Sequence, residues 1–450
     1  MSRLYNGVIL VDRPCPENVR RIEMGALPLI DSMHHWGIQL DIPHLQRLST
    51  KLSYLMQRKE WELESHLPPD TPINITSPKW VADLLFHKLR VQGREKVYLT
   101  NSEKWEETGS EVLQRFQNNH PAVGIILDHR EYHKLKSTYA DTLPRLVDSN
   151  CRIHTRFKLG PVTGRYASEN PNLQNQPKRS ALGREIRKAF IAAPGWVLVE
   201  LDLSQIEMRM VAHLSGEQSM ISGYQDPDWD MHTQTAMDVF NLPRDKVDKL
   251  LHRLPCKNVG FGVVYRIAGA GLQSTIVESY ATAGIYEMEG LPIPQFWTVH
   301  KCDGLIDRFY ETKEAIRLWQ GEQDRRAMRY GMVWTPFGRW RLIPQTKSTL
   351  EWVKSKGLRE GANHPVQGGA QDLIKLAMAE VNDKLNDFNR AKDLVRPLLQ
   401  NHDALLFECR GEQVAQDWIG VCKPIMEGAA PLDVPVLSSA EIGNSWGEME

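Results

Sequence analysis

WVLVELDLSQIEMR, residues 196 to 209, ends an apolar strand pattern abruptly on one acid. Val197, Leu198, Val199 and Leu201 read as a mostly buried strand that delivers Asp202 to its carboxyl end. A helix is expected at once. Ser204 followed three residues later by Glu207 is a capping-box pattern, Met208, Met210, Val211 and Leu214 supply an apolar face, and Gly216 closes it. An acid at a strand-to-helix junction sits where sheets commonly place their chemistry.

The surrounding chain, at 450 residues and 51.5 kDa, is too long for one core, so two or three domains or subdomains are expected. With 41% hydrophobic and 25% charged residues it is not globally disordered. No apolar stretch reaches bilayer-spanning length, and MSRLYNGVILVDRP lacks the apolar core and cleavage site of a signal peptide. A soluble, intracellular protein with no membrane partner is therefore expected. The six cysteines, Cys15, Cys151, Cys256, Cys302, Cys409 and Cys422, form no CxxC pair, which signals neither a zinc site nor a disulfide framework. A net charge of -1 neither demands nor forbids a nucleic-acid partner, because phosphate binding depends on local charge. One cluster stands out: Lys178, Arg179, Arg184, Arg187 and Lys188 face the single acid Glu185, which taken alone reads as a solvated face.

Residues 1 to 20 read as an extended lead-in with Pro14 and Pro16. From about 21 to 145 the pattern is helical, with a long stretch from Ile42 to His66, a second start at Ser77-Pro78, and a polar loop from Gly93 to Ser110. From Cys151 the period changes to strands, RIHTRFKLG and TGRY, separated by turns. Residues 216 to 350 are mainly helical again, interrupted near GLPIPQFW, and one long helix is expected over 366 to 388, with Pro365 at its start, so that Arg359 need not share its axis. The strand pair VRPLLQNHDALLFECR then flanks a polar tip of Asn401, His402 and Asp403.

Asp202 and Asp403 each end an apolar strand. Either each caps a turn, or adjacent strands bring them together, in which case two carboxylates need a cation between them, and oxygen-only ligation favours Mg²⁺. Such a pair suits two-metal phosphoryl transfer. In RLPCKNVGFGVVY, Arg253, Lys257, Phe261 and Tyr265 recur every four residues, one helical stripe basic at its N-terminal end and aromatic beyond. A polyphosphate suits the basic end and a base the rings; a core-packed amphipathic helix is the plainer alternative.

Together these stretches resemble family A DNA polymerases. Motif A, DYSQIELR, is matched by DLSQIEMR at 202 to 209, motif B, RxxxKxxxFGxxYG, by Arg253 to Tyr265, and motif C, VHDE, by NHDA at 401 to 404. TGRYASENPNLQNQPKR at 163 to 179, DMHTQTA at 230 to 236, TPFGRWR at 335 to 341 and REGANHPVQGGAQDLIK at 359 to 375 match further, and 73 to 86 and 129 to 144 resemble the family's thumb. The resemblance implies an α+β right-hand fold: thumb over 21–145, palm over 146–215 and 351–450, fingers over 216–350. It implies a DNA-directed DNA polymerase that uses two Mg²⁺ ions, dNTPs and primer-template DNA, in bacterial, phage-infected or organellar surroundings. It also implies a monomer, with any exonuclease or replication factor separate, since only about 20 residues precede the thumb, too few for a proofreading module.

By the same resemblance Asp202, Asp403 and the Leu203 carbonyl are metal ligands, and Lys257 protonates the leaving pyrophosphate. Arg179, Gln205, His232, Arg253 and Lys257 face the incoming nucleotide, Phe261 and Tyr265 line its pocket, and Glu207 excludes a ribose 2′-hydroxyl. Arg165, Asn175, Arg359, Asn363, Gln367 and His402, with Gln205, contact primer, template or minor groove. Three positions depart from the family pattern: Ala404 replaces a glutamate, Leu203 a tyrosine and Arg266 a glycine. Phe261, in place of tyrosine, implies discrimination against dideoxynucleotides. A single-subunit RNA polymerase shares the hand, and Ala404 admits a non-catalytic primer-template binding protein.

Overall fold

The alternation at 197 to 203 becomes a strand, β1 (Val197–Leu203), with Val197, Val199, Leu201 and Leu203 buried and Asp202 exposed near its end. In this computed structural model, which describes residues 10–67, 71–91, 106–114, 116–117, 119–160, 162–177 and 180–449, β1 lies in a four-stranded sheet. The other strands are β2 (Val395–Asn401), β3 (Ala404–Cys409) and β4 (Ser438–Gly443), in spatial order β2-β3-β1-β4. β2 and β3 are antiparallel and pair from Val395↔Cys409 to Asn401↔Ala404, leaving His402 and Asp403 as a two-residue turn. His402 is left-handed, φ 57°, the backbone such a tight turn needs and a side chain disfavours. The class is α+β, as expected.

The chain divides into two units. One gathers the residues up to Met33, Phe157–Ala167 and Val199–Glu441; the other gathers His34–Arg156, Ser168–Leu198 and the residues from Ile442. In the second unit the Ile42–Glu64 helix starts under an Asp41 cap, and the Pro78–Ala82 turn starts where Ser77 accepts from the Trp80 amide. A small antiparallel sheet there joins Ile38–Leu40 to Arg152–Ile153 and Phe190–Ile191. The first unit holds five helices that matter for function: α1 (Ile206–Ser215), α2 (Met231–Phe240), α3 (Leu254–Val264), α4 (Glu314–Tyr330) and α5 (Glu351–Phe388). Near GLPIPQFW lie a small hairpin, Glu287–Met288 with Leu291–Pro292, and the turn Ile293–Phe296.

Several expectations need correction. A helix already runs from Pro16 to Trp36, so residues 16 to 20 are not extended. The capping box at Ser204 does not form: the N-cap of α1 is Gln205, left-handed at φ 52° with no side-chain cap bond. The Ser204 amide instead donates to the Leu437 carbonyl at 2.8 Å, so the chain turns one residue later. Gly216 does close α1 in the left-handed conformation. Helix α5 begins at Glu351, not 366, and runs through Pro365. A mid-helix proline costs about 3 kcal/mol, which the near-complete burial of residues 361 to 378 outweighs, and the residue whose carbonyl the ring crowds is the small Gly361. Arg359 therefore shares the helix axis. Of the Gly93 to Ser110 loop, residues 93 to 105 lie outside the described residues.

The first unit also buries a closed set of charges. Arg339 donates to Asp372 at 2.7 Å and to Glu23 at 2.5 Å, Lys375 donates to Glu23 at 2.7 Å, and the Thr335 hydroxyl donates to Asp372 at 2.8 Å. Two acids meet two bases, with Asp372 and Lys375 wholly buried. Gly164, at φ 79°, lies against this set: a Cβ there would stand 2.7 Å from the Arg339 guanidinium, so only glycine fits beside Arg165.

Candidate active site

The Leu203 amide donates to the Asp403 carbonyl at 3.2 Å, which sets the end of β1 beside the β2–β3 turn and so puts Asp202 and Asp403 on neighbouring strand ends. Burial pushes the Asp403 carboxyl up to about 7, and the negative charges of Glu207 and Asp202 push it the same way, against Arg165. Its hydrogen-bond donor is neutral, the Gln371 amide at 3.0 Å, and among the described residues it has no ion pair. A cation there would offset the charge. Among the described residues no group of three or more His, Cys, Asp or Glu side chains forms a metal cage. Two carboxylates, with the Leu203 carbonyl expected to add to them, fit Mg²⁺, which takes one or two carboxylates and fills its shell with water and substrate phosphate.

Glu207, in the first turn of α1, is held from two sides. Arg165 donates to one carboxylate oxygen at 2.7 Å and the Tyr265 hydroxyl donates to the other, while Gln367 donates to the same hydroxyl at 2.9 Å. The phenol, half-buried beside this carboxylate, is pushed up in pKa by burial and then by Glu207. Tyr265 is the C-cap of α3, so this network ties α3, α1 and α5 together at one point.

The stripe on α3 forms. Arg253 closes the short Lys249–Arg253 turn with helical backbone and runs directly into the helix, so it is not stranded in a loop ahead of Pro255. Lys257 is exposed and Phe261 half-buried. The Phe261 ring lies 5.5 Å from that of His232 in the first turn of α2. His232 is buried, its Nδ1 has no hydrogen-bond partner, and burial pulls its pKa down to about 4, so the imidazole is neutral. Arg253 makes a two-bond pair with Asp230, at 2.8 and 3.0 Å, and Asp230 also caps α2 through the Thr233 amide. That pair holds the Asp230 carboxyl well below the usual range, although burial opposes it.

Arg359, Asn363 and Gln367 recur every four residues along α5, Arg359 exposed and Asn363 with a buried Oδ1 that lacks a partner. Gln205 and His402 are exposed on left-handed backbone. Asn175 belongs to the second unit, where its carbonyl accepts from the Tyr139 hydroxyl at 3.0 Å. Arg179 lies outside the described residues. Sequence reasoning missed Gln371 and Asp230. Gln371 had a signal, since it continues the 359, 363, 367 series by one more step of four.

The model of DNA polymerase family A matches residues 42–448. The chain belongs to that family. A thermostable DNA polymerase I from Thermus caldophilus is 37% identical over 430 residues, covering 94% of this chain and 47% of that protein. DNA polymerase I of Bacillus subtilis (strain 168) is 33% identical, covering 96% and 46%. The chain thus spans about half the length of the curated relatives it matches. Among solved structures, the POL domain of Pol1 from M. smegmatis, in complex with a DNA primer-template and dNTP, is similar with a TM-score of 0.81 and 31% identity, over 95% of this chain and 70% of that one. Against the family pattern, the side chains of Ala404 and Leu203 are apolar and buried, so neither side chain adds a polar group to the carboxylate pair.

Proposed function

We propose that the chain extends a DNA primer with dNTPs on a DNA template, by attack of the primer 3′-hydroxyl on the nucleotide's α-phosphate. The observation that carries this reading is the juxtaposition of Asp202 with Asp403, whose carboxyl is met by the Gln371 amide and pushed up by burial and by neighbouring negative charge, in the unit that holds the Arg253–Tyr265 stripe. On this reading the β1–β4 sheet is the palm, residues 216–350 the fingers, and 21–145 the thumb. When bound, two Mg²⁺ ions would activate the attacking hydroxyl and offset charge on the leaving pyrophosphate. Asp202 and Asp403 would hold them, with the Leu203 carbonyl and the nucleotide's own phosphates.

Lys257 and Arg253 would hold the triphosphate at the N-terminal end of α3, where the helix dipole adds to their charge. Arg253 is aimed by Asp230 and keeps donors for phosphate. His232 contributes a neutral hydrogen bond, since a phosphate oxygen satisfies its unpartnered nitrogen when that nitrogen carries the proton. Lys257, exposed at the same end, is the proton donor to pyrophosphate. Phe261 and Tyr265 form the surface for base and sugar. Glu207, fixed by Arg165 and Tyr265, stands where a ribose 2′-hydroxyl would need room, which favours deoxynucleotides over the RNA polymerase reading. Gln205, Arg359, Asn363, Gln367 and His402 line the path for the primer-template, whose minor-groove acceptors are shared by every correct pair. Arg179 and Asn175 are the remaining candidates for nucleotide and DNA contact. Ala404 leaves both aspartates in place, so activity is retained.

The test is primer extension with Mg²⁺ and either dNTPs or rNTPs, on wild type and Asp202→Asn. Extension by wild type with dNTPs, lost in the variant while duplex binding persists, is the expected result. Duplex binding by wild type without any extension would instead support a non-catalytic binding protein.

A further inference from the structure

Helix α3 ends in a Schellman turn. The Ile267 amide donates to the Gly262 carbonyl at 2.9 Å and the Arg266 amide to the Val263 carbonyl at 2.9 Å, with Tyr265 as C-cap between. The residue after the cap must be left-handed, and here it is Arg266 at φ 52°, where glycine is the unstrained choice. A costly backbone held by a long cation calls for a compensating side-chain role. One is present. The Arg266 guanidinium donates to the Asp324 carboxylate at 2.9 Å and to the Gln320 carbonyl at 2.8 Å, both on α4 and one helical turn apart. Gln320 answers in the other direction: its amide donates to the Val263 carbonyl at 3.0 Å, and its oxygen accepts from Tyr310 at 2.7 Å. Helix α4 in turn packs against α1 and α5, which carry Glu207 and Gln367.

We infer that Arg266 is a positioning residue: its clamp on Asp324 and Gln320 fixes the C-terminal turn of α3, and through it the hydroxyl of Tyr265 on Glu207 and Gln367. This inference rests on the polymerase reading. The clamp thereby sets nucleotide affinity and sugar discrimination, while the groups at the carboxylate pair and the basic end of α3 are untouched. An uncharged residue at 266 would leave the Gln320–Val263 hydrogen bond as the remaining polar tie between the last turn of α3 and α4 among the described residues.

The experiment compares wild type, Arg266→Gly, Arg266→Lys, Asp324→Asn and the Arg266→Gly/Asp324→Asn double variant. Steady-state primer extension separates kcat from the KM for dNTP, rNTP incorporation gives the discrimination ratio, and thermal melting reports the fold. Arg266→Gly is expected to raise the dNTP KM about tenfold and lower sugar discrimination several-fold, with kcat changed less than about threefold. Its Tm should stay level, because glycine suits the left-handed turn. Asp324→Asn should shift KM in the same direction, the double variant should be no worse than Arg266→Gly, and Arg266→Lys should recover part of the loss. If Arg266→Gly melts early, Asp324→Asn, which leaves the backbone alone, decides by itself. KM and discrimination within twofold of wild type in Asp324→Asn, or fully multiplicative losses in the double variant, overturn the inference while wild-type extension keeps the polymerase reading intact. A wild type that extends nothing overturns both.

Discussion

Two sets of carboxylates in one unit are treated in opposite ways. Glu23 and Asp372 are closed off: Arg339 and Lys375 neutralise them, the Thr335 hydroxyl takes a further lone pair, and no charge is left over. Asp202 and Asp403 lie on neighbouring strand ends; Glu207, in the first turn of α1 beside them, has an arginine, while Asp403 is met by an amide and is pushed toward holding a proton. A closed set is structural, since removing any member strands its partner. At Asp403 an amide stands where the closed set has a cation, and on the proposed reading a cation from outside completes the site, which separates the chemistry from the scaffold.

The contrast breaks most visibly if Asp202→Asn keeps activity. Extension is expected to fall by a factor on the order of 10⁴, roughly 5 kcal/mol in the barrier, with little change in melting temperature. The closed set should behave in reverse. Arg339→Ala leaves Asp372 and Glu23 buried without their shared partner and is expected to cost about 3–5 kcal/mol in urea unfolding, with activity lost only as the folded fraction falls.

Acid sharpens the comparison further, because the basic stripe on α3 and the closed set each have a buried histidine beside them. His232 flanks Phe261, and His364 lies against the Arg339 carbonyl at 3.2 Å; burial pulls both down to about 4. The unfolded chain binds those protons near pH 6.5, so it takes up protons that the folded chain refuses. Stability is therefore full above about 6.5 and drains away as the pH falls toward about 4, by on the order of 3 kcal/mol for each histidine. Denaturant unfolding across that window should show a shallower pH slope in His232→Asn. The smallest effect is expected at Arg165→Ala. Freeing one side of Glu207 should lower the preference for dNTPs over rNTPs about tenfold, roughly 1.4 kcal/mol, in single-nucleotide extension.

Much of this was legible in the chain. β1 and the β2–β3 hairpin follow from apolar runs ending on Asp202 and Asp403, and the α3 stripe from residues spaced by four. Local signals failed where tertiary contacts set the outcome. Ser204 and Glu207 have capping-box spacing, yet the Ser204 amide is taken by Leu437 and Glu207 by Arg165 and Tyr265, partners remote in sequence. Pro365 looked like a helix start because the cost of a mid-helix proline is local, whereas the burial that outweighs it is not. Asp230 was invisible for the same reason, and the role of Gln371, though its spacing continues the 359, 363, 367 series, was too. Each acts through a residue brought to it only by folding.

The open character of Asp403 is tested most directly by measuring Mg²⁺-dependent primer extension and melting temperature on the same preparation of Asp403→Asn. Removing a charge that lacks an ion pair should abolish extension while the melting temperature holds or rises. Retained extension, or a melting temperature that collapses with it, would contradict the account.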